Sequence, residues 1–196
     1  MSEVYIESAF TGLYEPSDPK IIEPIKTITA FDFGTGGGNR LSSVNRIIAE
    51  HVLDELYIDK QGKPRTILAQ ELTAAALHAL YGSNNVHVEP IKLHPTSSGR
   101  SGIFGTGLSA YAALEEMRDI MAELDLPLEA IVAAQSYMVD RTVRHGEILG
   151  VSLVKPPGLP KDFDRWSFGQ PWCLDERIWR KREDLGQRLL RQQGKI

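Results

Sequence analysis

The sequence predicts an α/β protein: a single Rossmann-like, doubly wound domain with a mainly parallel, five-stranded sheet and helices on both faces. Short apolar runs of strand character alternate with longer segments of helical periodicity, and short turns join them. This alternation builds parallel sheets, and right-handed crossovers then favour doubly wound strand orders. A length of 196 residues is typical of one such domain.

Each element follows from the spacing of its apolar residues and from the residues that end it. Val44, Ile48 and Val52 recur on one face of the first helix, and Gly82 and Gly150 end two later helices. The predicted strands are 27–33, 66–69, 86–91, 130–134 and 151–154, and the predicted helices are 41–57, 71–81, 107–124, 139–149 and 173–192.

The remaining segments define the domain organisation. Residues 1–26 contain the turn-forming run Glu-Pro-Ser-Asp-Pro and are expected to form a leader that packs on the domain made by 27–196. A long polar loop is expected at 93–105, between the third strand and the third helix.

Composition and charge exclude several classes of protein. The net charge of −4 leaves no basic surplus for nucleic-acid binding, and acids interrupt the basic segment 177–195, which favours a solvated helix face. Cys173 is the one cysteine, so neither an intramolecular disulfide nor a cysteine-based metal cluster can form. With no secretory signal and no apolar run of about 18 residues, we expect a cytoplasmic protein without a membrane or metal role. The sequence leaves open both the identity of any cofactor and the formation of a homo-oligomer.

The glycine loop after the first strand is the strongest candidate for a binding element. Four glycines occur within 34–38, directly before a helix start, where backbone N–H groups and the helix dipole favour an anion. Asn39 stands where a dinucleotide fingerprint has its third glycine, and the P-loop lysine is missing. Two interpretations remain open, an anion-binding loop and a turn that only permits close helix packing. The ligand-binding candidates here are Gly36, Gly37, Gly38, Asn39 and Arg40.

Further candidates follow the other strands, because ligands of open α/β sheets bind beyond the carboxyl ends of the strands. Arg100, Thr106, Ser136 and Arg141 supply cations and hydroxyls there, which suits a phosphorylated or nucleotide-like anionic small molecule.

Two residues are candidates for a catalytic base. His94 is predicted in the loop beyond the third strand, although a surface histidine is the alternative, and Glu71 follows the second strand. Asp32, near the end of the first strand, either points into the site or is a hydrogen-bonded structural acid. His145 falls within a predicted helix, where a solvent or interface position is usual.

The segment from Ile131 to Thr142, with its strand followed by a helix bearing Arg141, resembles the YdcF/SanA/ElyC family of bacterial domains of unknown function. Arg46 on the first helix and Thr106 also match positions of that family, whereas Met138 replaces a family histidine. The resemblance implies a Rossmann-like fold whose polar pocket binds nucleotide-like or envelope-related small molecules. It also implies altered or lost activity here, and the alternative for Arg141 is an arginine of the first helical turn that reaches solvent.

Two functions follow from these observations. The first is a binding protein or enzyme, a hydrolase or transferase, in which Arg40, Arg100 and Arg141 clamp an anion. The second is a non-catalytic interaction module that presents late aromatic residues lying among prolines, unless these residues pack as a strap over the sheet. These aromatic residues are Trp166, Phe168, Trp172 and Trp179.

Overall fold

The computed structural model describes residues 14–33, 43–84, 93–96, 108–163, 173–192 and 194. It confirms the α/β class and the parallel sheet. The strands are β1 (Thr27–Ala30), β2 (Thr66–Gln70), β3 (Leu93–Thr96), β4 (Glu129–Ala133) and β5 (Ser152–Val154). The helices are α1 (Pro19–Ile22), α2 (Ser43–His51), α3 (Glu71–Asn84), α4 (Leu108–Glu123), α5 (Ser136–Leu149) and α6 (Glu176–Gln192), and α2 continues into a π-helical turn at Val52–Leu56.

The sheet has the strand order β3-β2-β1-β4-β5, and all neighbouring strands are parallel. At its centre, Ile28 of β1 is in register with Ile67 of β2 and with Ile131 of β4. Every residue of β1 is buried. A continuous buried run of this kind is typical of a parallel strand that is covered on both faces.

The helices pack in two pairs against the sheet, α2 with α3 and α4 with α5. The core contains fully buried aliphatic and sulfur-containing side chains from both pairs, including Ile48, Leu77, Leu114 and Met117. No helix in the described ranges combines the length and the apolar character that a membrane crossing requires.

The third strand departs from the sequence prediction. Residues 93–96 form β3, although they were expected to begin a polar loop, and the predicted strand at 86–91 lies outside the described residues. Among the described strands, β3 lies at the edge of the sheet and pairs only with β2. Pro95 has no N–H to donate, and an edge strand tolerates it because only one of its sides is hydrogen-bonded.

Two other boundaries also differ from the prediction. β1 ends at Ala30 rather than at residue 33, although the Phe31 N–H still donates to the Ala133 carbonyl at 2.9 Å. α5 begins at Ser136 rather than at residue 139, because Gln135 caps it. Arg141 therefore lies in the second turn of this helix.

At the amino ends of the strands, two charged side chains fix the loops. Asp59 accepts a 2.7 Å bond from Lys26 Nζ and bonds from two backbone N–H groups of its own turn, which lower its pKa to about 2. The buried guanidinium of Arg65 donates to the carbonyls of Ile25 (2.7 Å), Leu56 (2.6 Å) and Glu23 (3.3 Å). Asp59 is thus a structural acid that fixes its own turn and Lys26.

The described part of the leader is bonded to the segment that follows β5. The Ser17 N–H donates to the Lys155 carbonyl at 2.8 Å, and the Lys155 N–H donates back to Ser17 Oγ at 3.0 Å. Tyr14 donates its hydroxyl to the Pro156 carbonyl at 2.6 Å and accepts from the Leu159 N–H. These bonds hold residues 14–17 against the loop 155–160, which follows β5 and contains three prolines.

Candidate functional site

Side chains from neighbouring elements hold the backbone just beyond the carboxyl end of β1. The Asp32 N–H donates to Gln70 Oε1 at 2.8 Å, and the Phe33 N–H donates to Asn45 Oδ1 at 2.6 Å. Gln70 ends β2, and Asn45 lies in the first turn of α2, where it is fully buried. The backbone of Asp32 and Phe33 is therefore held in place at this edge of the sheet.

The Asp32 carboxylate caps a helix that belongs to the next βα unit. Its two oxygens accept from the N–H groups of Leu72 (3.1 Å) and Thr73 (2.7 Å), in the first turn of α3. Burial raises the pKa of Asp32, although the hydrogen bonds from Thr73 and Leu72 act in the opposite direction. Of the two interpretations of Asp32, these contacts match the hydrogen-bonded structural acid.

The N-terminus of α5 is also capped from within the chain. The Tyr137 N–H donates to Gln135 Oε1, the Met138 N–H to the Gln135 carbonyl and the Ser136 N–H to the Pro160 carbonyl, each at 2.8 Å. These three N–H groups already have protein acceptors, so an anion at this edge must be held by side chains or by another helix end.

Ser136 itself is a predicted ligand-binding residue, and its hydroxyl is unusual. The residue is only 3% exposed, and its Oγ has no hydrogen-bond partner in the part of the chain that the structure describes. A buried hydroxyl without a partner costs roughly 1–3 kcal/mol relative to a bonded one. The site therefore contains a donor that a ligand group can satisfy.

Gln135 also ties the loop after β5 to this edge. Its Nε2 donates to the carbonyls of Lys161 and Asp162, each at 3.3 Å. Phe163, the next residue, packs edge to face on Phe33 with ring centroids 5.7 Å apart, and its ring lies 5.2 Å from that of Tyr137. The ends of β1 and β4 are thereby joined by an aromatic cluster.

Arg141 lies beneath α6 at this aromatic cluster. Its guanidinium carbon is 5.0 Å from the centroid of the Trp179 ring, and the Trp179 ring lies 5.3 Å from that of Phe33. Arg141 is 5% exposed and Trp179 is 6% exposed. The interpretation of Arg141 as a solvent-reaching arginine is therefore wrong, because α6 covers it.

A second contact fixes the start of α6. The Tyr137 hydroxyl donates to Glu176 Oε2 at 2.9 Å, and Arg180 Nε donates to Glu176 Oε1 at 2.8 Å. The bonds from Arg180 and Tyr137 lower the pKa of Glu176, while burial and the Glu176 carboxylate raise the pKa of Tyr137. For Trp179, its burial and these bonds match the alternative interpretation, in which the late aromatic residues pack as a strap over the sheet and do not form an interaction surface. The other aromatic residues of the predicted interaction module, Trp166, Phe168 and Trp172, lie outside the described residues.

His145 is buried one turn beyond Arg141, contrary to the expected solvent or interface position. It is 1% exposed, its ring lies 5.3 Å from that of Tyr111 on α4, and neither ring nitrogen has a hydrogen-bond partner among the described residues. Burial, and secondarily the charge of Arg141, lowers the pKa of His145 to about 3. The imidazole is therefore neutral at physiological pH.

The two predicted catalytic residues lie on the other side of β1. His94 lies within β3, opposite Leu68, and not in a loop beyond the strand; Glu71 is the first residue of α3 and is exposed. With strands about 4.8 Å apart, β3 lies about 14 Å from β4, which precedes Ser136 and Arg141. The position predicted for His94 is wrong because the loop residues 93–96 form the edge strand.

Seven predicted binding residues lie outside the described residues: Gly36, Gly37, Gly38, Asn39, Arg40, Arg100 and Thr106. Their roles, and the proposed clamp of Arg40 and Arg100 with Arg141, stay predictions.

Sequence reasoning missed the residues that organise this edge, namely Asn45, Gln70, Gln135 and the pairing of Trp179 with Arg141. A polar amide next to a buried apolar run is the available signal, since buried polar groups are almost always hydrogen-bonded. Within the described ranges, no three His, Cys, Asp or Glu side chains come together as metal ligands.

Comparison with known proteins gives no match: neither a family model, nor a curated protein, nor a solved structure corresponds to this chain.

Proposed function

We propose that this chain binds a phosphorylated or nucleotide-like small molecule at the carboxyl ends of β1 and β4, in a five-stranded, Rossmann-like, doubly wound domain. The strand order supports the fold assignment, because β3-β2-β1 runs one way from the centre and β4-β5 the other. The pairing of α2 with α3 and of α4 with α5 is consistent with helices on both faces. The ligand position is the point where the order reverses, between β1 and β4.

The buried guanidinium of Arg141 is the observation that carries the proposal. Its planar, permanently charged guanidinium offers several N–H donors in a fork that matches the oxygens of a phosphate or carboxylate. The guanidinium carbon lies over the Trp179 ring, 5.0 Å from its centroid, so a cation–π contact with α6 holds the side chain in place. Arg141 is thus suited to hold an anionic group while α6 covers it.

Two further features support an anion at this position. The Ser136 hydroxyl is buried without a partner in the described residues. The helix that follows β1 starts at Ser43, next to the glycine-rich segment, and a helix N-terminus favours negative charge. At the starts of α3 and α5, the N–H groups of Thr73 and Tyr137 are already bonded to Asp32 and Gln135.

The proposed membership of the YdcF/SanA/ElyC family rests on the same residue, since Arg141 matches the family arginine. If the site is catalytic, hydrolysis or group transfer would use His94 or Glu71 as the base. His94 lies within β3 and Glu71 directly follows β2, so the reacting group of the ligand would lie on that side of β1, away from Arg141.

The test is ligand-dependent thermal stabilisation of the full chain by nucleotides, sugar phosphates and inorganic phosphate. Arg141→Met is expected to lose the stabilisation, whereas Arg144→Met, with the same change three residues along α5 at an exposed position, is expected to keep it. Arg141→Lys retains the charge without the bidentate geometry and is expected to weaken binding about tenfold or more.

Circular dichroism of each variant separates lost binding from lost folding. The proposal fails if none of these anions raises the unfolding temperature of the parent protein. It also fails if a folded Arg141 variant binds as tightly as the parent.

A further inference from the structure

The outward face of α6 carries a stripe of exposed cations. Arg177, Lys181, Arg188 and Arg191 are all exposed, at successive separations of 4, 7 and 3 residues. At 3.6 residues per turn, these separations place them along one side of the helix over about 21 Å. Asp184 is the one acid on that side among the described residues.

An apolar line runs beside this cationic stripe. Ile178 is 38% exposed, and Leu185, seven residues further and therefore on the same side, is 42% exposed. Ile178 directly follows Arg177, and Leu185 lies four residues after Lys181 and three before Arg188. The solvent side of α6 therefore presents cations next to aliphatic side chains.

The inward side of α6 is anchored independently of this face. Among the described side chains of the helix, Trp179 is the buried one, and it packs on Phe33 and Arg141. Glu176, which interrupts the basic segment in the sequence, is bonded to Tyr137 and Arg180. This acid therefore does not neutralise the outward stripe, and the charge there is more concentrated than the sequence alone indicates.

Contrary to the expectation of no membrane role, we propose that this face of α6 binds an anionic phospholipid surface, with the helix axis in the plane of the interface. Cations attract the headgroups, and aliphatic side chains beside them enter the boundary between headgroups and acyl chains. Nucleic acid is less favoured, because its phosphate backbone offers the exposed Ile178 and Leu185 no apolar environment. A protein partner is also less favoured, since a stable protein interface has a larger apolar centre than two half-exposed side chains.

This surface does not depend on the proposed ligand site. The whole chain has a net charge of −4, although α6 has more Lys and Arg than Asp and Glu, so the rest of the chain is net negative. An anionic membrane therefore repels the body of the protein and attracts α6. The protein would therefore bind in one orientation, with α6 toward the lipid.

Vesicle flotation with the full chain tests the proposal. We expect binding to vesicles of phosphatidylcholine mixed with phosphatidylserine, loss of that binding at high salt, and weak binding to phosphatidylcholine alone. The triple change Arg177→Gln, Lys181→Gln, Arg188→Gln is expected to weaken binding by more than about tenfold. Lys20→Gln, Lys63→Gln, Arg144→Gln makes the same change in net charge at exposed positions outside α6 and is the matched control.

The pair Ile178→Ser, Leu185→Ser tests the apolar part, and it is expected to weaken binding while the salt dependence remains. Equal binding of the α6 triple variant and the control triple variant would overturn the proposal, as would equal binding to the two vesicle compositions. Fluorescence anisotropy with a DNA duplex is the competing measurement. Tight binding of DNA that the α6 triple variant loses, without vesicle binding by the parent, would assign the face to nucleic acid instead.

Discussion

The Asp32 carboxylate and the Thr73 N–H are joined by a 2.7 Å hydrogen bond, so the residue after β1 holds the start of the helix after β2. A second bond, from the Leu72 N–H, engages the other carboxylate oxygen. The two neighbouring βα units are therefore fixed to each other at the carboxyl edge of the sheet. In the sequence, the glycine-rich segment begins immediately after Asp32 and Phe33.

Replacing Asp32 by alanine is expected to lower the free energy of unfolding by about 1–2 kcal/mol, since two N–H groups of α3 lose their acceptor. Urea unfolding followed by circular dichroism measures the change. Asp18→Ala removes the cap of the short, exposed α1 and should cost less. Equal stability of the Asp32→Ala variant and the parent would contradict the capping role.

The pH dependence of Asp32 runs opposite to that of a salt-bridged acid. Burial raises its folded pKa above the ordinary value of 3.8, so the folded state binds the proton more tightly than the unfolded state. Its contribution to stability is therefore complete below that ordinary pKa and is lost as the pH rises through the raised pKa. We expect Asp32→Asn to lack this loss of stability. Unfolding free energies of the parent and the variant, measured across mildly acidic pH, test this.

Gly146 marks a close approach between α5 and β5. A Cβ at this position would lie 2.6 Å from the Val151 carbonyl oxygen and 3.0 Å from Leu153 Cγ. We expect Gly146→Ala to destabilise the protein by about 1–3 kcal/mol, because backbone must move to relieve the clash. Gly82→Ala is the control, since a Cβ there meets nothing within 4 Å and alanine favours the helix by up to about 1 kcal/mol. Thermal unfolding of both variants should move in opposite directions.

The apolar pattern of the sequence predicted β1, β2, β4 and β5, whereas β3 was not predicted because it depends on tertiary structure. β1, β2, β4 and β5 were predicted because buried parallel strands are runs of apolar residues bounded by turns. The segment Leu-His-Pro-Thr of β3 has no such pattern, and a proline argues against a strand in general. It is a strand here because β3 lies at the sheet edge, and edge position depends on strand order, which local sequence does not specify.

The candidate site was predictable to a smaller extent. The rule that ligands bind beyond the strand ends identified Ser136 and Arg141, which are both buried near the ends of β1 and β4. The cover that Trp179 forms over Arg141 depends on how α6 folds back, and no local pattern links residues that far apart. The sequence allowed Asp32 to be a hydrogen-bonded structural acid but did not identify α3 as its partner, because Asp32 and Thr73 are far apart in the sequence.

Arg65 is expected to contribute strongly to stability, because it fixes the loops at the amino ends of the strands. Its guanidinium donates to three backbone carbonyls and is buried, so Arg65→Met leaves those carbonyls without their donor and should cost about 2–4 kcal/mol. The stability of Arg65→Lys is expected to lie between that of the parent and that of Arg65→Met, because one ammonium group cannot donate to all three carbonyls as the guanidinium does. Arg46→Met, which removes an exposed ion pair with Glu50, should change stability by less than about 1 kcal/mol in the same urea titration.

Acid sensitivity is expected from His145. Its folded pKa is about 3 and its ordinary pKa is 6.5, so between these values the unfolded state binds more protons than the folded state. Stability from this group is therefore present above about pH 6.5 and falls as the pH decreases, by up to about 1.4 kcal/mol per pH unit. His145→Leu cannot take up the proton, so its unfolding free energy should decline less steeply between pH 6.5 and 4 than that of the parent. Parallel declines in the two proteins would show that the imidazole is not buried in its neutral form, whatever the absolute stability of the variant.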